Sequence, residues 1–104
     1  MINLISITNA NLYNVKNSDE LKSYFDKLEN PNKKKILSYL KNSSFESSCT
    51  TEKVFDYVEK KITNIPMVSY CDNKFYWDDR EIYYFEKYNL KLNDDFIEYV
   101  LKRS

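Results

Sequence analysis

The stretch Met67-Val68-Ser69-Tyr70-Cys71-Asp72-Asn73-Lys74-Phe75-Tyr76-Trp77-Asp78-Asp79-Arg80-Glu81 decides how the chain is read. Apolar residues recur at every second position on both sides of Asp72-Asn73, the period of two half-buried strands. Asp and Asn tolerate the left-handed backbone region better than most residues, so the pair serves as a two-residue turn and residues 67–77 form an antiparallel hairpin. Asp78 follows the second strand directly and has Glu81 three residues on. This is capping-box spacing with Asp in the role of Ser or Thr, so a helix starts at Asp79. Ile82, Phe85 and Tyr88 then give that helix its core face, and Asn89 suits a left-handed C-terminal position. Trp77 shares a strand face with Phe75 and belongs to the core.

Outward from this stretch the helical period dominates. Leu90-Lys91-Leu92 is a connector, after which Asn93 caps a last helix with Asp94 and Asp95 at its positive end and Lys102-Arg103 at its negative end. Upstream, Val54, Phe55, Val58 and Ile62 predict a helix over 51–63, preceded by a Ser-rich loop. Asn30-Pro31 opens a helix running to Lys41, and Asn17 to Glu20 caps another over 18–29. Residues 1–16 read as a short strand or irregular arm. The expectation is one α+β domain over 1–104, mostly helical, with about five helices and a single hairpin near 67–77.

Composition removes most chemistry. The 104 residues contain no His, so no imidazole base, proton shuttle or metal ligand exists. They contain no Gly, which excludes the phosphate-cradling loops and nucleophile elbows that need a residue without a Cβ. Cys49 and Cys71 cannot form a zinc site between them, and both read as reduced packing residues. The adjacent acid pairs Asp78-Asp79 and Asp94-Asp95 point apart on helix starts, so no paired general acid and base is legible. A non-enzymatic protein without metal or cofactor is expected. The N-terminal residues lack a charged leader and a continuous apolar run, which points to a cytoplasmic protein with no membrane span.

Sixteen basic and sixteen acidic residues cancel, but their distribution is uneven. Residues 1–45 hold 7 basic and 4 acidic residues, whereas residues 72–98 hold eight acids against four bases, interleaved with Tyr76, Trp77, Tyr83, Tyr84 and Tyr88. Carboxylates set among aromatics suit an interface with a basic protein. The plainer alternative is that the acids offset exposed amides in first helical turns and the rings fill the core. With Ile82 and Phe85 inward, Glu81 and Tyr84 turn outward at helical spacing. Asp78, Asp79, Glu81, Tyr84 and Glu86 are therefore the expected contact residues. A competing reading takes Lys33-Lys34-Lys35 and Lys41 as a nucleic-acid face, with the helix over 51–63 as the recognition element of a winged helix. Glu52, Asp56 and Glu59 on that helix would repel phosphates, which disfavours it.

The order of motifs adds a further expectation. Ile36-Leu37-Ser38-Tyr39-Leu40-Lys41-Asn42, Val54-Phe55-Asp56-Tyr57, Tyr70 to Asp79, Ile82-Tyr83-Tyr84-Phe85-Glu86-Lys87-Tyr88 and Phe96-Ile97-Glu98-Tyr99-Val100-Leu101 together resemble small bacterial immunity proteins. These accompany polymorphic and contact-dependent growth-inhibition toxins. The chain departs from that pattern at Asp72-Asn73, where Asp-Gly is expected, and at Leu92-Asn93, where Leu-Pro is expected. The resemblance implies an inhibitor that binds a cognate toxin domain, commonly a nuclease, with no small-molecule substrate. A regulator that binds DNA and a phage-type inhibitor of another protein remain the alternatives.

Overall fold

The computed structural model describes residues 4–103 apart from 13, 16, 43 and 44, and for residues 45–51 the backbone alone. Its elements run β1 (Ile5–Ser6), α1 (Ser18–Lys22), α2 (Lys33–Asn42), β2 (Phe45–Asp56), β3 (Lys61–Cys71), β4 (Phe75–Asp78), α3 (Asp79–Tyr88) and α4 (Asp94–Lys102).

The hairpin of β3 and β4 forms with Tyr70 opposite Trp77 and Cys71 opposite Tyr76. Its turn is built differently from the expected one. Asp72 itself pairs with Phe75, donating its N–H to the Phe75 carbonyl at 3.0 Å, so the turn residues are Asn73 and Lys74. The Asp72 carboxylate accepts the amides of Lys74 and Phe75 at 2.7 and 2.6 Å and closes the turn without a left-handed residue. The helix after it starts where its cap directs. Asp78 Oδ1 accepts the amides of Arg80 and Glu81, and Asn89 ends α3 in the left-handed region at φ 62°.

Residues 51–63 are not a helix. They form the end of β2, a turn at 57–60 and the start of β3, paired antiparallel with Phe55 opposite Ile62 and Asp56 opposite Lys61. A helix would have put Val54 and Ile62 on one face, yet Val54 is fully buried and Ile62 is 67% exposed. The β-branched and aromatic residues of the segment fit a pleated surface, and Lys60 at φ 56° makes the turn that no Gly or Asn is present to make. The sheet is therefore four-stranded, ordered β1-β4-β3-β2, with β1 parallel to β4.

The first helix is also shorter than its apolar spacing implied. It stops at Lys22, because the backbone of residues 24–26 pairs with residues 89–91 through Lys91 N–H to Tyr24 O and Asp26 N–H to Asn89 O, both 2.8 Å. Phe25 stacks on Tyr88 with ring centres 5.2 Å apart, while Leu28 is left 83% exposed with nothing to bury a longer helix against. The α+β class holds, but there are four helices among the described residues rather than five. Strand content is comparable with helix content, so the chain is not mostly helical.

One core joins these parts. Phe75 and Trp77 project from β4 onto α2 and α4, where Trp77 donates its indole N–H to Leu40 O at 3.2 Å and both rings meet Phe96. The radius of gyration is 13.2 Å, about the value for a single domain of this length. The N-terminal segment is tied across the front of this core. Asn93 donates its amide to Ile7 O at 2.8 Å and its Nδ2 to Ser6 O at 3.1 Å instead of capping α4, and Thr8 Oγ1 donates to Lys91 O at 2.7 Å. No helix among the described residues is long and apolar enough to cross a membrane.

Candidate functional site

The five residues expected to form one exposed acidic edge are separated by the fold. Tyr84 is 1% exposed and Glu81 7% exposed, so neither turns outward. The reason lies in β2. Tyr84 donates its hydroxyl to Phe55 O at 2.7 Å and accepts the Tyr57 amide at 3.0 Å, so the hairpin of β2 and β3 covers the α3 face that would otherwise meet solvent. Burial pushes the Tyr84 hydroxyl up to about 12. Asp78 is buried and bound by Arg80, whose Nη2 and Nε reach Oδ2 at 2.7 and 3.2 Å. Burial works against the Arg80 cation, but the Asp78 bond and charge outweigh it and raise the Arg80 pKa. Asp79 accepts the Val68 amide at 3.0 Å and the Tyr70 hydroxyl at 3.3 Å, fastening α3 to β3. Glu86 alone of the five is exposed, and it pairs with Lys41 at 3.2 Å.

A cluster that the sequence did not announce lies at the end of β2. The Asp56 carboxylate is fully buried and accepts the hydroxyls of Tyr83 and Tyr88 at 2.5 and 2.6 Å and the amides of Val58 and Glu59 at 2.9 and 2.8 Å. Burial alone would raise its pKa; the two hydroxyls and two amides reverse this and hold it at about 2. Lys87 covers the cluster, 2.7 Å from Glu59 and 3.5 Å from Asp56, with its ammonium over the Tyr83 and Tyr88 rings. Every charge here has a partner, so the cluster is a clasp between the β2–β3 turn and α3. Tyr83 and Lys87, one helical turn apart, with Tyr88 beside Lys87, are its only trace in the sequence, where Asp56 falls within the helix expected over 51–63.

Open surface is found on either side of the N-terminal segment, and Asn9 lines both parts. One cleft, of about 400 Å³, has Ile5, Lys74, Asn93, Asp94 and Asp95 in its wall. The other, of about 420 Å³, lies between residues 6–12 and the start of α3, with Tyr76, Asp78, Arg80 and Glu81 in its wall. Asp94 and Asp95 are exposed. Ile5 and Tyr76 are 50% and 45% exposed. Glu81 is the anomaly of the second cleft. Burial, then the neighbouring Asp78 charge, pushes its carboxyl well above the ordinary range, and its Oε2 has no hydrogen-bond partner. The sequence marks Glu81 as a capping-box and contact residue but not as a buried one, because its burial depends on residues 6–12 returning across α3 from far away in the chain.

No group of acids and thiols able to hold a metal ion occurs among the described residues, and Cys71 is a half-buried free thiol. Cys49 lies in β2 opposite Val68, its side chain outside the described parts. Comparison with known proteins gives no match to a family model, a curated protein or a solved structure.

Proposed function

We propose that the chain is an immunity protein: a cytoplasmic, non-enzymatic inhibitor that binds a cognate bacterial toxin domain, with a nuclease as the favoured class. The observation that carries this reading is the double cleft along the N-terminal segment. Its exposed charges are Asp94 and Asp95 against Lys74, with Ile5 and Tyr76 exposed at its margins, while Asp78 is buried and balanced by Arg80 and Glu81 is buried. A nuclease groove is basic because it holds phosphates. Carboxylates beside apolar anchors form its complement, steering encounter and then excluding water. Of the contact residues expected from sequence, Asp78 and Glu81 enter this surface as cleft wall. Asp79 and Tyr84 fasten α3 to the sheet, and Glu86 lies exposed outside the walls of both clefts, paired with Lys41. The alternative of a winged-helix regulator has lost its recognition helix to β2 and β3.

The test expresses the proteins encoded next to this chain and takes one that arrests growth as the toxin. Co-expression should relieve the growth arrest that the toxin causes, and failure to relieve it defeats the reading. The paired change Asp94→Lys and Asp95→Lys should slow association by about tenfold or more at low salt, with the difference closing at high salt. Both residues also favour the α4 N-terminus, so a thermal melt accompanies the kinetics, and Asp94→Asn with Asp95→Asn gives a milder version of the same trend. An unchanged on-rate in a folded double variant would remove this surface from the interface.

A further inference from the structure

We propose that Glu81 is the receptor for a single cationic side chain, and that the cleft between residues 6–12 and the start of α3 accepts the guanidinium or ammonium group of a partner's arginine or lysine. The inference deepens the toxin-binding reading and rests on it for the partner's identity, though not for the chemistry of the cleft.

A buried carboxyl normally has its oxygens met by donors, because an unmet polar atom loses its hydration without replacement. Glu81 Oε2 is covered and has none. The Asp78 amide reaches the Glu81 carboxyl, but no donor meets Oε2, and the other donors nearest in sequence are engaged elsewhere. The amides of Arg80 and Glu81 both go to Asp78, and the Arg80 guanidinium grips Asp78 from two nitrogens. Asp78 and Arg80 thus neutralise one another, and burial, then the Asp78 charge, push the Glu81 carboxyl toward its neutral form against the smaller opposing pull of Arg80 and the Asp78 amide. The Asp78 charge that opposes ionisation of Glu81 by itself attracts a cation. When one enters, the carboxyl gives up its proton to solvent and forms a charge-assisted hydrogen bond, and the Glu52 charge that also acts on Arg80 adds to the negative side of the balance. Rotation about the last side-chain bond is soft, so either oxygen can face the cleft. Asn9 and Asn11 in the opposite wall offer carbonyl oxygens to the remaining N–H groups. An anionic guest finds no free cation here, since Arg80 is held by Asp78.

The experiment first locates the Glu81 titration midpoint by NMR from its side-chain carboxyl carbon, and then, at a pH below that midpoint, titrates the whole protein with N-acetylarginine methylamide while following the same signal. The uncharged N-acetylcitrulline methylamide is the matched control. Saturable movement of the Glu81 signal to its ionised position with the arginine compound, and none with the citrulline compound, is the expected result. No movement, or equal movement with both, overturns the proposal, the second outcome meaning that the acid takes any hydrogen-bonding guest. Glu81→Gln keeps the shape and removes the charge. It should fold with an unchanged amide spectrum and bind neither compound, and arginine binding that survives in it also overturns the proposal. In the toxin complex the same variant should weaken the Kd by about tenfold or more. If relief of growth arrest fails while the arginine titration succeeds, the function reading falls and the cation site stands. If relief succeeds and the titration fails, the reverse holds.

Discussion

Asp56 shows how much one side chain can hold. Its carboxylate joins two tyrosines of α3 to two amides of the β2–β3 turn, and Asn in its place would lose the charge and present an NH2 group either to two amides that can only donate or to two hydroxyls that would have to turn from donor to acceptor. Asp56→Asn should cost about 2–3 kcal/mol at neutral pH, read from urea denaturation. Because the folded pKa is depressed to about 2 from an ordinary 3.8, the contribution is complete above roughly pH 4 and is lost as pH falls from there through about 2. The variant and the parent should converge over that window; a gap that persists below it would assign the loss to packing. Lys60 offers the opposite case. It sits at φ 56° without the tolerance of Asn or Gly, so Lys60→Gly should raise stability by about 0.5–1 kcal/mol, seen as a higher Tm. Residues whose role is local were legible from sequence: Asp78 and Asn89 bound α3 as their side chains and backbone preferences dictate. Asp56 was not, because three of its partners lie outside its own turn or strand.

Among elements, the same division explains what could be read. The ends of α3, the body of α4 and the pairing of β3 with β4 depend on neighbours a few residues away, and they appear where periodicity put them. The hairpin of β2 and β3 escaped, since its turn holds Glu59 and Lys60 rather than Gly or Asn, and Val54, Phe55, Val58 and Ile62 happen to fall at helical spacing. That single misreading opened the face of α3 on which Tyr84 was expected to be exposed. The α3 cap also separates two kinds of contact at one residue. Asp78→Asn keeps an oxygen for the Arg80 and Glu81 amides but gives up the ion pair, whereas Asp78→Ala loses both. Alanine should therefore cost about 1–2 kcal/mol and asparagine less than half of that, measured by urea titration of the two variants. Equal losses would mean that the ion pair, not the cap, anchors the helix.

For the molecule as a whole, the single Trp is a built-in reporter. Trp77 is fully buried against Leu40 and Phe96, so its emission should be blue-shifted in the folded protein and move red on unfolding. Helices and sheet share that one core. The fluorescence and far-ultraviolet circular dichroism transitions in urea should thus coincide, and separate midpoints would reveal two units. Sequence alone conveyed the class of this architecture but not the return of the N-terminal segment, whose bonds span distances that no local pattern records. That return sets a timetable. Ile5 bonds to Lys74, Ser6 to Asn93 and Thr8 to Lys91, the latter two separated by 87 and 83 residues. On the ribosome the first of these residues to emerge must wait for nearly the last before the lip between the two clefts can close. Neither cleft therefore has the wall the two share until residues 91 and 93 have left the ribosome, so both are completed together, after β4 and α3 are already available.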